Sequence, residues 1–198
     1  MNESQRICAA VRAAGVPATD IYDLVNSKKS YRPAIPILID SLRNGIAELS
    51  TKEGVIRALG AKEARGTDAT EVLIDEFWKL PADDDIMRWT IGNTISIIAE
   101  DSDFDMISKI VSDPKNGKSR EMFVLSLGRV SLQQAEDLLL ELLNDDQVAA
   151  HALDVLGKKK SKKARDKVAS LLRHPKALIR KEASKALRRI EMNPSANQ

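Results

Sequence analysis

Aromatic side chains are scarce in this chain: there are seven among 198 residues, and none after Phe123. That leaves little bulk for a large central core, and beyond Phe123 no stacking platform for nucleic-acid bases. Cysteine is scarcer still. Cys8 stands alone, which excludes an internal disulfide framework, and it has no metal-ligand spacing with the two histidines, His151 and His174. A buried small hydrophobe is its expected role, and a reducing compartment the expected setting. No apolar run approaches the roughly 18 residues of a membrane span. Arg6 and Arg12 also interrupt the short apolar positions where a secretory signal would need a continuous stretch. A cytoplasmic, non-membrane protein is therefore expected. A glycine-rich phosphate loop, a metal-ligand cluster and a nucleophile with a base beside it are all missing, so no catalytic residue, cofactor or metal is expected, and the chain is not expected to be an enzyme.

Charge is plentiful but unevenly spread. The net value is only +2, yet residues 151–198 hold 14 Lys or Arg against 4 Asp or Glu, and residues 1–150 hold 17 against 25. The chain is bipolar, acidic and then basic, which bears more on its partners than the mean does.

What the chain does have is a repeat. Taking Leu127 within the stretch Ser119 to Gly128 as reference, an equivalent Leu or Ile returns as Leu59, Ile95, Leu156 and Leu187, at spacings of 36, 32, 29 and 31 residues. A cation sits seven residues earlier in four of the five copies, as Lys52, Arg88, Arg120 and Arg180; Ala149 is the exception. Gly60, Gly128 and Gly157 directly follow the reference residue. A second ladder, Leu38, Leu73, Ile107, Leu139 and Val168, recurs at 35, 34, 32 and 29. Two ladders with nearly the same period predict paired amphipathic helices that stack, each pair borrowing its core from its neighbours.

The boundaries follow from caps and turns. Residues 1–32 carry no full copy of the signature and read as an N-terminal capping helix pair, with Ser4 as the first cap and Thr19 or Asp20 starting the second helix. Repeats are expected over 33–66, 67–101, 102–130, 131–160 and 161–191, and a frayed tail over 192–198, all in a single domain. In the first repeat the helices read Ala34 to Arg43 and then from a Ser50 or Thr51 cap through Leu59, with Glu53 close to a capping-box position. Asp113-Pro114-Lys115-Asn116-Gly117 predicts a turn, between helices over 103–112 and 119–130.

These residues resemble HEAT-like repeats of the short bacterial type, as in phycobilisome-lyase-like repeats, whose second helix typically reads apolar-Arg-x-x-Ala-x-x-Ala-Leu-Gly. Ile179 to Leu187 matches nearly residue for residue, and Gly54 to Gly60 matches over its second half. The sequence departs from the pattern at Ile95-Ser96, Ala149 and Arg188. The resemblance implies an all-α, right-handed α-solenoid of about five two-helix repeats. It further implies a concave surface, lined by the second helices, that binds proteins, nucleic acids or chromophores. About activity the resemblance is nearly silent.

The helix register nominates residues for that surface. If the reference Leu and the residue four before it are buried, the residues two and six before it lie together on the opposite side. These are Arg57 with Glu53, Asn93 with Trp89, Leu125 with Glu121, Asp154 with Ala150, and Lys185 with Lys181. Trp89 is the most informative, because an exposed Trp often anchors an interface; a rotated helix would instead bury it. Trp78 reads as inter-helix packing. The aligned cations either line the groove, with Arg88 and Arg120 as contacts, or pair with acids of adjacent repeats as the family commonly does. His151 lies at i and i+3 with Asp154, without a third ligand for a metal.

The expected function is a non-catalytic, monomeric protein-binding module, as an adaptor, an inhibitor or a toxin-neutralising partner. Its expected contacts are Trp89, Asn93, Arg57, Arg88, Arg120, Glu121, His151, Asp154, Lys181 and Lys185. Two other readings stay open. Nucleic-acid phosphates could bind the basic C-terminal third, or Trp89, Asp154 and Arg120 could imitate the aromatic, Asp and Arg of a HEAT-like DNA glycosylase.

Overall fold

A computed structural model describes residues 2–192. The tail expected over 192–198 thus falls almost wholly outside the described residues. Among those residues the chain forms twelve α-helices and no strand, and no helix is long and apolar enough to cross a membrane. The fold is all-α, built from HEAT-like helix pairs. These gather into two compact units, residues 1–103 and 104–198.

In the first unit α1 (Glu3–Ala13) and α2 (Ile21–Val25) form the N-terminal pair. They are followed by α3 (Ile35–Arg43) with α4 (Leu49–Ala58), and α5 (Ala69–Lys79) with α6 (Asp85–Ile98). The first helices pack in the order α1, α3, α5 and the second helices in the order α2, α4, α6. The second unit repeats the plan with α7 (Phe104–Ser112) and α8 (Arg120–Ser126), α9 (Gln133–Leu142) and α10 (Ala149–Lys158), and α11 (Arg165–Ser170) and α12 (Ala177–Glu191). There α8, α10 and α12 lie side by side.

Both ladders serve as the core. Leu38, Leu73, Ile107, Leu139 and Val168 are fully buried, as are Leu59, Ile95, Leu127 and Leu156; Leu187, in the last helix, is partly exposed. The residues four before the second ladder, Val55, Ile91, Phe123, Ala152 and Ala183, are buried as well. Burying aliphatic layers in this way supplies roughly 1.5–3 kcal/mol per side chain, enough to hold short helices that would not persist alone.

Several helix starts differ from the sequence expectation. Asn2, not Ser4, caps α1, in a capping box with Gln5. Neither Ser50 nor Thr51 caps α4, which begins at Leu49. The Glu3 carboxylate of α1 accepts the Ala47 and Glu48 N–H groups there at 3.2 and 2.7 Å, so a neighbouring helix satisfies donors that a local cap would otherwise take. Those backbone bonds hold Glu3 below its ordinary carboxylate range. At the expected turn, Pro114–Ser119 winds into a 3-10 stretch in which Gly117 takes φ +56°. The helix after it ends at Ser126 rather than running to Val130.

Candidate functional site

None of the ten residues placed on the outward positions by register is buried. Each unit presents its own group of them.

In the first unit the surface runs across α2, α4 and α6. Tyr22 on α2 is 37 % exposed and lies against Gly54 of α4, where a Cβ would meet its ring carbon at 3.3 Å. Glu53 and Arg57 follow on α4, their ion pair closed at 2.7 Å, and the Arg57 guanidinium reaches Thr90 Oγ1 of α6 at 3.5 Å. Trp89 is 38 % exposed beside Asn93. Sequence reasoning missed two further residues, Ile86 and Ile97, exposed at 76 % and 38 %. Counted at 100° per residue, Ile86, Trp89, Asn93 and Ile97 share about 80° of the circumference of α6. The signal was available: α6 is apolar on more of its circumference than one buried stripe requires.

In the second unit the outward positions form a charged surface. His151 Nε2 stands 3.9 Å from Glu121 Oε2, and its Nδ1 is buried without a hydrogen-bond partner. Asp154 receives Lys158 at 2.7 Å and Arg189 of α12 at 2.8 Å, while Lys185 is held by Glu182 at 2.8 Å. Lys181 is exposed. No group of three His, Cys, Asp or Glu among the described residues is placed to hold a metal ion.

The expectation that Arg88 and Arg120 line the surface is corrected by their burial. Arg88 is 4 % exposed and Arg120 1 %. The Arg88 guanidinium lies 4.1 Å from the centre of the Phe77 ring of α5. Arg120 donates to the carbonyls of Gly117 and Val111 at 3.1 and 3.2 Å and to Gln147 Oε1 at 2.8 Å. It also pairs with Asp145 at 2.8 Å. Lys52 bonds Glu76 of α5 at 3.0 Å, and Arg180 donates to the carbonyls of His174 and Pro175. The four cations of the ladder therefore tie the starts of α4, α6, α8 and α12 to loops and first helices. Trp78 departs from expectation in the other direction, being 52 % exposed, edge-on to Phe77 of its own helix at 5.0 Å.

Three carboxylates are tuned by such ties. Burial alone would raise Glu76, Asp145 and Asp154. Each is instead lowered: Glu76 by hydrogen bonds from Lys79 and Lys52, Asp145 by the Gln147 N–H and Arg120, and Asp154 by Lys158 and Arg189.

The basic C-terminal third is largely engaged with the protein itself. Lys159, Lys162 and Lys167 donate to the carbonyls of Val130, Ile190 and Leu140 at 2.5, 2.6 and 2.8 Å, satisfying acceptors at or near helix ends. Lys163 pairs with Asp137, Lys176 with Asp146, and Arg165 with Asp166 and Glu191. With Lys158, Arg180, Lys185 and Arg189 described above, ten of the fourteen cations have a partner within the chain.

Residues 137–198 match the family model described as HEAT repeats. No curated protein matches the chain. The matched segment covers α10, α11 and α12 and most of α9, and the same register of buried ladders runs through the helix pairs before it. By that match, residues 137–198 are similar to HEAT repeats, and the helix pairs before them share the same register.

Proposed function

We propose that the chain is a non-catalytic protein-binding module whose contact surface is the outward face of α2, α4 and α6, centred on Trp89. One observation carries this reading: α6 keeps Ile86, Trp89 and Ile97 exposed along one stripe while burying Met87, Ile91, Ile95 and Ile98 on the other side. A surface helix that needs only one buried stripe gains nothing from a second one, and grouped exposed apolar residues mark interaction sites. HEAT repeats generally mediate protein interactions, in keeping with this reading. Arg57 and Asn93 supply the polar rim.

The alternatives lose support. A phosphate-binding surface needs cations available to phosphates, and most of those in the basic third already serve helix ends and carboxylates. A glycosylase-like trio would need Arg120, which is buried, and Asp154, which is held between Lys158 and Arg189. Adaptor, inhibitor and toxin-neutralising roles all fit a binding module of this kind.

The test is affinity capture from the native cell with wild-type, Trp89→Ala and Trp78→Ala baits in parallel. A genuine partner is retained by wild-type and Trp78→Ala protein and depleted more than about tenfold with Trp89→Ala, as expected of a hot spot. Equal recovery with all three baits would remove Trp89 from the site.

A further inference from the structure

The apolar stripe of α6 stands between two groups of acids. Asp83 and Asp85 are exposed at its N-terminal end, and Glu100 and Asp101 at its C-terminal end. About fifteen residues at 1.5 Å rise separate the two groups, roughly 22 Å. Of the cations beside the stripe, Arg57 is paired with Glu53, Lys52 with Glu76, and Arg88 is buried over Phe77. Arg65 donates to the Ile97 carbonyl at 3.2 Å, one cation against the two acids of that end. The surface therefore offers apolar contact in the middle and negative potential at both ends.

We infer that this stripe docks an amphipathic helix of another protein, about four turns long, apolar on its contact face and carrying Lys or Arg toward both ends. The inference rests on the reading of the Trp89 face as the binding surface and adds the chemistry of the occupant. An apolar stripe along a helix is complemented by residues at i, i+3, i+4 and i+7 of a second helix. Acids at both ends add charge complementarity, which favours basic over acidic partners and speeds encounter.

Three fluorescein-labelled peptides of eighteen residues test it by anisotropy. The first places Leu at i, i+3, i+4 and i+7 with Lys and Arg at both ends, the second replaces those cations by Glu, and the third keeps the basic composition but scrambles the Leu positions. The basic amphipathic peptide should bind at least about tenfold more tightly than the acidic one at low salt, with the difference shrinking as salt rises. The scrambled peptide should bind weakly. A combined Asp83→Asn, Asp85→Asn, Glu100→Gln variant, checked for helicity by circular dichroism, should close the gap between basic and acidic peptides, while Trp89→Ala weakens both. Equal binding of basic and acidic peptides that is still lost with Trp89→Ala overturns the basic occupant and leaves the Trp89 surface standing. Binding of the scrambled peptide as tightly as the amphipathic one, or of none of the three, also overturns it. So does a peptide-free dimer in sedimentation that Trp89→Ala abolishes, because the occupant is then a second copy of this chain.

Discussion

Arg120 carries a full charge to a position 1 % exposed and meets two carbonyls, an amide oxygen and a carboxylate there. Removing it empties a buried site and takes the guanidinium donors from the Val111 carbonyl, Gln147 and Asp145. Arg120→Ala should therefore destabilise the second unit by about 3–5 kcal/mol, read from urea unfolding, whereas an exposed cation such as Lys181 should be neutral to within about 0.5 kcal/mol. Lysine should restore only part of the loss, since it lacks the planar fork that reaches several acceptors at once. Tyr31 makes a smaller case of the same kind. Its hydroxyl donates to the Ala58 carbonyl at 2.8 Å, and burial pushes the phenol up to about 12. Tyr31→Phe should cost about 1–3 kcal/mol by orphaning that carbonyl. The lowered carboxylates set a pH dependence with a definite sign. Glu76, Asp145 and Asp154 have folded-state values below their unfolded ones. Their contribution is thus complete above the unfolded value of about 4 and is lost as the pH falls through the lower folded value. Thermal melts should hold steady from neutral pH to about 5 and drop below about 4; a melting temperature that does not fall on acidification contradicts this.

At the scale of the helix, close approach explains the glycine after the second-helix ladder. A Cβ on Gly157 would lie 2.8 Å from Ala186 Cα and 3.1 Å from its Cβ, which fixes how near α10 and α12 can pack. Gly157→Ala should therefore cost about 1–3 kcal/mol through overpacking. Gly128→Ala, whose Cβ would meet the Leu125 carbonyl oxygen at 3.1 Å and the movable Val155 side chain at 3.4 Å, should cost less than the 2.8 Å approach at Gly157, and unfolding measurements that reverse this order contradict the packing account. Twelve helices and both buried ladders were legible in the sequence, because a period near 30 with apolar residues at helical spacing leaves few other ways to bury them. Helix starts were not. At α4 the donors are taken by Glu3, 45 residues away at the Glu48 N–H, a contact that local cap patterns cannot contain. The cation ladder was legible as a pattern but ambiguous in meaning, since an Arg at that position is compatible with a surface contact or a buried tie until the loop carbonyls around it are placed. Ile86 and Ile97 were absorbed into a helix that looks uniformly apolar in one dimension, and only burial separates its two stripes.

On the scale of the whole molecule, the division of charge looks like a nucleic-acid signature and is largely internal structure. Lysines that bond backbone carbonyls, and others that pair with Asp137, Asp146, Asp154 and Glu182, displace few of the counterions condensed on DNA. Generic duplex DNA should therefore bind with a shallow salt dependence, a slope reflecting no more than about three or four phosphates, measured by titration from low to physiological salt. A steep slope, with tight binding persisting at physiological salt, would return the basic third to the list of functional surfaces. Binding of protein is proposed for the first unit, on α6. The most direct test is hydroxyl-radical footprinting of the protein alone and with its captured partner. Trp89, Ile86 and Ile97 should oxidise readily in the free chain and become protected in the complex, while Trp78, Leu172 and Leu178 remain as reactive as before. Protection confined to Leu172 and Leu178, with Trp89 unchanged, contradicts the account.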